Sequence, residues 1–501
     1  MNRSILPLAL GAFALTSLTT QATLSLSSDY IPSRAVNKPV TISAGQLLSN
    51  DYTDQEESEG ITILDVGGAQ YGTVTLTGGV ITYSPGRSFP GQDGFWYTAT
   101  DGFDTQSTYV NLVNPFFTSA GVYGAPIADY SIYPQTHESS GYIRVNVDRT
   151  GSFTSKLVVA GYAYAIKGVL PLDEPFFAVA QGKGKPTVQV QISAPQYFVG
   201  SLYGQASYTI DGTTYNGSFQ TGENVLQIFD SDLVGLYTAA FQSEEEYGYE
   251  PNASGLQGLA GFTSIRINAR GQATMVGKLA DGTPFSSCTF VQSGELLPPG
   301  ASSNNLPQPE GEEIIPVYSP IYSGKGSVIG SLYVSTSVNE FNIPTAQFHL
   351  VQGPATWFMR KPKTAEPASG LNMGILGSTF VAPRKGQPFF ETISNNGAIE
   401  FLANGGNLSY PVYASGLLGA NPLSGPFAAI FNSDKAAPQM KVSTMNGTFT
   451  GTFSDPETRA RYHYTGVLLT LPFYGEMPFG VGCFSSGKQM GQVTVQAYYE
   501  Y

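Results

Sequence analysis

The sequence predicts an all-β protein of several domains, and three observations carry that prediction. Gly (58), Tyr (30) and Phe (30) are abundant while charged residues make up only 12% of the chain. Aromatic side chains suit a pleated surface and Gly supplies the positive φ of tight turns. Apolar and polar residues alternate in short runs such as Thr73-Val74-Thr75-Leu76 and Val80-Ile81-Thr82-Tyr83, the period of a half-buried strand. An alternating strand, a turn closing on Gly and a second alternating strand also recur along the chain.

Residues 1–22 read as a secretory signal and stand outside the fold. Arg3 opens it, Ile5 to Leu18 is its apolar stretch, and Thr20-Gln21-Ala22 offers a cleavage site. The alternative, a membrane anchor, needs a longer span than this Pro7-interrupted stretch provides. No later segment approaches a membrane-spanning helix, because the apolar runs are short and broken by Gly, Pro and Thr.

Residues 37–113 form the clearest unit. Val40-Thr41-Ile42 begins a strand, Leu47-Leu48-Ser49-Asn50-Asp51 leads into an acidic loop, and Gly72 to Leu76 and Val80 to Pro85 are alternating strands. Phe89-Pro90-Gly91-Gln92-Asp93-Gly94-Phe95-Trp96-Tyr97 and Thr100-Asp101-Gly102 follow, and Ser107 to Val113 closes the module. Closely spaced short strands with turn residues between them predict a sandwich, with Trp96 as a core aromatic. The same residues resemble the cadherin-like, immunoglobulin-like repeats of large exported bacterial adhesins. That resemblance implies a β-sandwich used as a spacer or adhesive module outside the cell, in some members calcium-binding.

The loop after Asn50 departs from that pattern. Asp51, Asp54, Glu56, Glu57 and Glu59 place five carboxylates in nine residues, without the alternating Asp spacing of the family. Calcium needs six to eight oxygens at suitable angles. The loop reads first as a solvated acidic segment, and a calcium site built from these residues with Asp101 is the alternative.

Residues 115–297 and 314–501 read as two β-repeat domains, barrels or sandwiches, joined by a Pro/Ser/Asn-rich linker at 298–313. The repeated hairpins are Tyr142 to Leu157, Ile265 to Leu279 and Met440 to Phe453, with shorter echoes at Ser207–Phe219 and Ser327–Val334. "GKLADGTPF", "YSGKGSVIGSL" and "MKVSTMNGTFTGTF" resemble repeat regions of large exported proteins of environmental Gram-negative bacteria, a resemblance that carries no activity with it. Cys288 and Cys483 read either as a disulfide of an oxidising compartment or as two small apolar residues.

Catalytic patterns are weak. His137, His349 and His463 lie far apart in sequence, no Gly-x-Ser-x-Gly elbow occurs, and no His pair has metal-ligand spacing. Gly324 to Gly330 misses the dinucleotide spacing and precedes a strand. Asp173-Glu174 and Glu244-Glu245-Glu246 point adjacent carboxylates to opposite faces, so neither is a glycosidase pair. Tyr247, Tyr249 and Glu250 beside the second run leave a sugar or cation site as an alternative there. Val493, Val495, Ala497, Tyr499 and Tyr501 alternate as the last strand of an outer-membrane barrel would, and equally as the last strand of a water-facing domain.

The net charge of −13 disfavours nucleic acid. The expectation is an exported, non-catalytic protein of the outer surface or surroundings of a Gram-negative bacterium, or of its periplasm. It would serve adhesion, structure or matrix and meet surface polysaccharide or other surface proteins, with no cofactor unless calcium. An outer-membrane barrel with an exported N-terminal domain, and a carbohydrate-binding or carbohydrate-cleaving protein, are the alternatives.

Overall fold

The computed structural model describes residues 24–54, 58–129, 131–132, 135–172, 174–194, 200–224, 231–243, 259–293, 313–335, 349–358, 370–382, 398–420, 427–432, 436–469, 480–486 and 489–497. Residues 1–22, read as a signal, lie outside them. The chain divides into two units, Met1–Asn114 and Pro115–Tyr501.

The first unit is a β-sandwich. Its strands are β1 (Leu24–Ser25), β2 (Asp29–Pro32), β3 (Val40–Ser43), β4 (Tyr52–Thr53), β5 (Thr62–Gly67), β6 (Gly72–Thr77), β7 (Val80–Pro85), β8 (Gln92–Thr100) and β9 (Thr105–Val113). One sheet runs β2-β9-β8-β5, the other β3-β7-β6, and β1 pairs β4 at one end. Alternation sends Phe95, Tyr97 and Ala99 of β8, and Val110 and Leu112 of β9, into a core shared with Ile42, Ile81 and Tyr83 of the facing sheet. That register turns Trp96 outward, 51% exposed, so it is not the core aromatic the sequence suggested. Phe95 and Tyr97 fill the inner positions on either side of it.

The second unit contains three barrel-like sheets. In the first, a four-strand meander from Gly121–Ala128 to Tyr162–Val169 is joined to a second, from Phe176–Ala180 to Thr213–Gln220, by pairing of its first strand with its last. In the second, Gly235–Ser243 likewise pairs Leu371–Thr379. The third is fully closed, with Ala398–Gly405 against Gln489–Ala497. Glu313, at the end of the proposed 298–313 linker, begins a strand of the second barrel, and strands on both sides of that segment belong to the same sheet. The remainder of the segment lies outside the described residues.

The repeated hairpins share one turn. Gly151, Gly271 and Gly447 take positive φ (78°, 69° and 67°). Their amides donate to Asp148, Asn268 and Ser443, and their carbonyls accept from Leu170, Val291 and Leu468 at the end of the next strand. A hairpin and its following strand are thus locked by a backbone bond that only a left-handed residue presents at this point.

Neighbouring barrels meet directly. Between the first and second, the Gln292 side-chain amide donates to the Gly124 carbonyl at 2.8 Å, and Tyr142 stacks on Tyr318 with centroids 5.6 Å apart. Between the second and third, Ala240 and Phe262 pack with Val467, Leu469, Val481 and Cys483.

The third barrel is filled, not hollow. Phe401, Phe449, Phe453, Tyr464 and Phe484 pack inside it with Val493 and Val495. The C-terminal apolar stripe therefore faces the barrel interior, and Gln492, Thr494 and Gln496 take the opposite face. That is the reverse of a lipid-facing strand. Tyr499 and Tyr501 lie outside the described residues. Among the described residues no helix is long and apolar enough to cross a membrane.

Inside the barrels the aromatics are seated on glycines. Phe449 faces Gly466 and Phe484 faces Gly491 in the ladder, and a Cβ on Gly491 would lie 2.1 Å from Cζ of Phe484. Gly491→Ala should lower stability by about 1–3 kcal/mol through overpacking. In a Phe484→Leu background the same change should cost less, because the ring it strikes is gone. Urea unfolding of the four members of the cycle measures the difference.

Candidate functional site

Three polar centres of the sandwich can be built from its strands. The first is Asp93, at the start of β8. Its Oδ1 accepts from the amides of Gln70 (3.0 Å) and Gly94 (2.8 Å), and its Oδ2 from the Tyr71 amide (2.8 Å) and the Tyr83 hydroxyl (2.7 Å). A carboxylate with four donors is a satisfied structural tie between the sheets.

The second is Asp101, in the Asp-Gly turn between β8 and β9. Oδ2 accepts from the Thr53 hydroxyl at 2.6 Å, and Oδ1 from the amides of Phe103 (3.0 Å) and Asp104 (2.8 Å). The Thr53 bond, followed by those amides, holds its carboxyl below the ordinary carboxylate range. The Ser58 hydroxyl donates to the Asp101 carbonyl, tying the acidic loop to the turn.

The third joins Asp29 and Asp51. Ser43 caps a short helix, Ala44–Leu47, through the Gln46 amide, and the 3₁₀ turn Leu48–Asn50 that follows delivers Asp51. Asp51 Oδ1 accepts from the Ser27 amide (2.8 Å) and Oδ2 from the Tyr97 hydroxyl (2.6 Å). Asp29 sits on the inward face of β2, 7% exposed, and its Oδ2 is buried with no hydrogen-bond partner. Burial, then the neighbouring Asp51 charge, pushes the Asp29 carboxyl up to about 6, against weaker opposing bonds from Tyr97 and Asn50. Burial and the same carboxylates push the Tyr97 hydroxyl well above its ordinary range.

Two of the expected calcium residues belong to these centres. Asp51 and Asp101 direct their oxygens at internal donors, while Glu56 and Glu57 lie outside the described residues. Asp54 and Glu59 are described, yet among the described residues no three His, Cys, Asp or Glu side chains form a metal-holding group. Asp29, which sequence reasoning missed, is a buried acid with an oxygen that meets no donor; a lone Asp in Ser27-Ser28-Asp29-Tyr30 gives no local sign that it points inward.

In the second unit the histidines stay apart. His137 bridges the first two barrels, donating from Nε2 to the Gly324 carbonyl and accepting at Nδ1 from the Ser327 hydroxyl, each at 3.0 Å. His349 places Nε2 3.0 Å from the Asp232 carbonyl, and His463 is exposed on the third barrel opposite Thr452. Cys288 and Cys483 are both free, the first exposed and the second buried, with burial raising the Cys483 thiol to about 11. The stretch Gly324 to Gly330, read as preceding a strand, lies largely within one, Gly326–Ser335. Glu174 is exposed. Asp173, Glu244, Glu245, Glu246, Tyr247, Tyr249 and Glu250 lie outside the described residues.

The sandwich, its Asp-Gly turn and its Leu-Leu-Ser-Asn-Asp segment define an immunoglobulin-like domain. Residues 21–113 match the family model of the bacterial Ig domain, so the strand-rich second unit follows a bacterial Ig-like module. Comparison of the chain with curated proteins and with solved structures finds no match. Bacterial Ig domains are typically modules of the cell surface or extracellular space.

Asp29 makes the sandwich pH-sensitive with a definite sign. Its carboxyl titrates near 3.8 when unfolded and near 6 when folded, so the folded state holds the proton more tightly. Its contribution to stability is greatest below about pH 4, falls as pH rises to about 6, and is then level. Asp29→Asn should remove that slope and stabilise the sandwich at pH 7.5 by roughly 1–3 kcal/mol. Melting curves followed by emission of the exposed Trp96, across pH 4 to 8, check both.

Proposed function

We propose that the chain is an exported, non-catalytic protein of the bacterial cell surface or extracellular space, serving as a structural or adhesive element. The observation that carries this reading is the architecture itself: an Ig-like module followed by barrels whose interiors are packed with aromatic side chains. A filled barrel serves as a rigid body, because its strands are committed to each other and to the core.

The polar groups support the same reading. Asp93, Asp101 and His137 hold turns, sheets and neighbouring barrels together. The inward-facing C-terminal stripe favours a water-facing third barrel over an outer-membrane one. The step from Ig-like fold to adhesion is a step from fold to use, and location is its most direct test. Expressed with a C-terminal epitope in a Gram-negative host, the chain should lose about 22 residues and become accessible to protease outside the inner membrane. Deleting residues 2–22 should retain it in the cytoplasm. Recovery of the intact full-length chain from the cytoplasm would refute export.

A further inference from the structure

We propose that the outer face of the β2-β9-β8-β5 sheet binds a neutral polysaccharide, with Trp96 and Tyr109 as the stacking platform. The inference goes beyond the surface role above and does not depend on it.

The alternation that buries Phe95, Tyr97, Val110 and Leu112 leaves Trp96, Tyr109 and Tyr30 on the outer face of three successive strands. Trp96 stands directly opposite Tyr109, with ring centroids 5.1 Å apart at 62°, and Tyr30 stands opposite Asn111 on the next strand. Strands lie about 4.8 Å apart, a step comparable to one sugar unit. Trp96 is 51% exposed and Tyr30 43%.

The sheet beneath these rings is glycine. A Cβ on Gly94 would lie 2.0 Å from the Tyr109 hydroxyl oxygen, and one on Gly68 would lie 3.1 Å from Trp96 Cδ1. The rings therefore lie close over backbone instead of standing among other side chains. Cross-strand packing accounts for a contribution of about 0.2–1 kcal/mol from such a pair. It does not account for leaving half of an indole in water when burial would stabilise the domain further.

The surroundings select the ligand. The Thr98 and Ser107 hydroxyls bond each other at 2.8 Å beside the aromatic pair, and Asn111 adds an amide. β2, β5, β8 and β9 contain no Lys or Arg, and Asp65 lies opposite Thr98 on the same face. With a net charge of −13, this face disfavours uronates and sulfated glycans. A pyranose offers an apolar C–H face to an aromatic ring and hydroxyls at its rim to Thr, Ser and Asn. A folded protein partner would need about 800 Å² of complementary surface, whereas a narrow strip of rings between glycines and hydroxyls suits an extended chain.

Affinity electrophoresis of the whole chain tests the proposal, with amylose, galactomannan, mixed-linkage β-glucan and hydroxyethylcellulose as neutral probes and alginate as anionic control. At least one neutral probe should retard the protein. Trp96→Ala should weaken that retardation by at least about tenfold with an unchanged melting temperature, and Trp96→Phe should keep part of it. Trp357, the other tryptophan, is 3% exposed, so the binding probe should blue-shift Trp96 emission, and Trp96→Phe should abolish the shift. The proposal is overturned if no neutral probe retards the chain, if alginate binds as well as the neutral probes, or if Trp96→Ala binds as the parent does. A dimer that Trp96→Ala dissolves would equally overturn it, making the face a contact between copies.

Discussion

The pairing of an aromatic ring with a glycine directly across the ladder is the constraint on which the barrels depend. Phe153 faces Gly168, Phe219 faces Gly204, Phe285 faces Gly277, Tyr464 faces Gly451 and Phe449 faces Gly466. Small closed sheets have interiors just wide enough for side chains to fill. Two large residues opposite each other would overfill that space, and two small ones would leave a void. A ring laid over a bare backbone fills it, which gives the abundance of Gly, Phe and Tyr a structural cause. It also makes these glycines sensitive to substitution through space rather than through φ, since those named here do not need the left-handed region.

Closure is the second constraint, because an open sheet edge is a template for unwanted pairing. The third barrel closes by a continuous ladder. In the second, Pro284–Phe290 and Glu313–Ile321 approach without a ladder, and serine side chains bridge them. Ser319 Oγ accepts from the Ser286 amide at 3.2 Å, and Ser287 Oγ from the Tyr318 amide at 3.4 Å. In the first barrel the edges Tyr162–Val169 and Phe176–Ala180 meet at Phe176, whose ring packs on Gly168 and stands edge-on to Phe153 at 4.8 Å. One architecture thus carries three kinds of seam: backbone, hydroxyl and aromatic.

What the sequence disclosed follows the range of the interactions involved. Hairpins are local, so Gly151, Gly271 and Gly447 were legible, as was the sandwich from Val40 to Val113. β2 was not, because its parallel partner β9 lies some 80 residues further on and nothing in four residues announces it. The pairing of Gly235–Ser243 with Leu371–Thr379 was hidden for the same reason, the two strands lying about 130 residues apart. The uneven spacing of the three glycines, 120 and 176 residues, has a topological cause. Leaving aside the two-residue strand Glu223–Asn224 that begins the second, the shared turn joins the second and third strands of the first two barrels but the fourth and fifth of the third, so the third barrel begins one hairpin earlier. Trp96 was placed on the wrong face because composition marks a Trp as core material, while register, set by Phe95 and Tyr97, decides otherwise.

The carboxylates of the sandwich show why acidity alone did not locate a site. Asp93, Asp101 and Asp29 are all drawn into the domain, and what separates them is the supply of donors. Asp93 meets three amides and a hydroxyl; Asp101 meets two amides and a hydroxyl, which hold its carboxyl below the ordinary range, because hydrogen bonds replace the water it loses. Asp29 has one oxygen without a donor and a second carboxylate close by, so the proton becomes its partner. Asp29 faces the core at the edge of the sheet, beside the Tyr97–Asp51 bond, and this couples the seating of β2 to the protonation of one side chain.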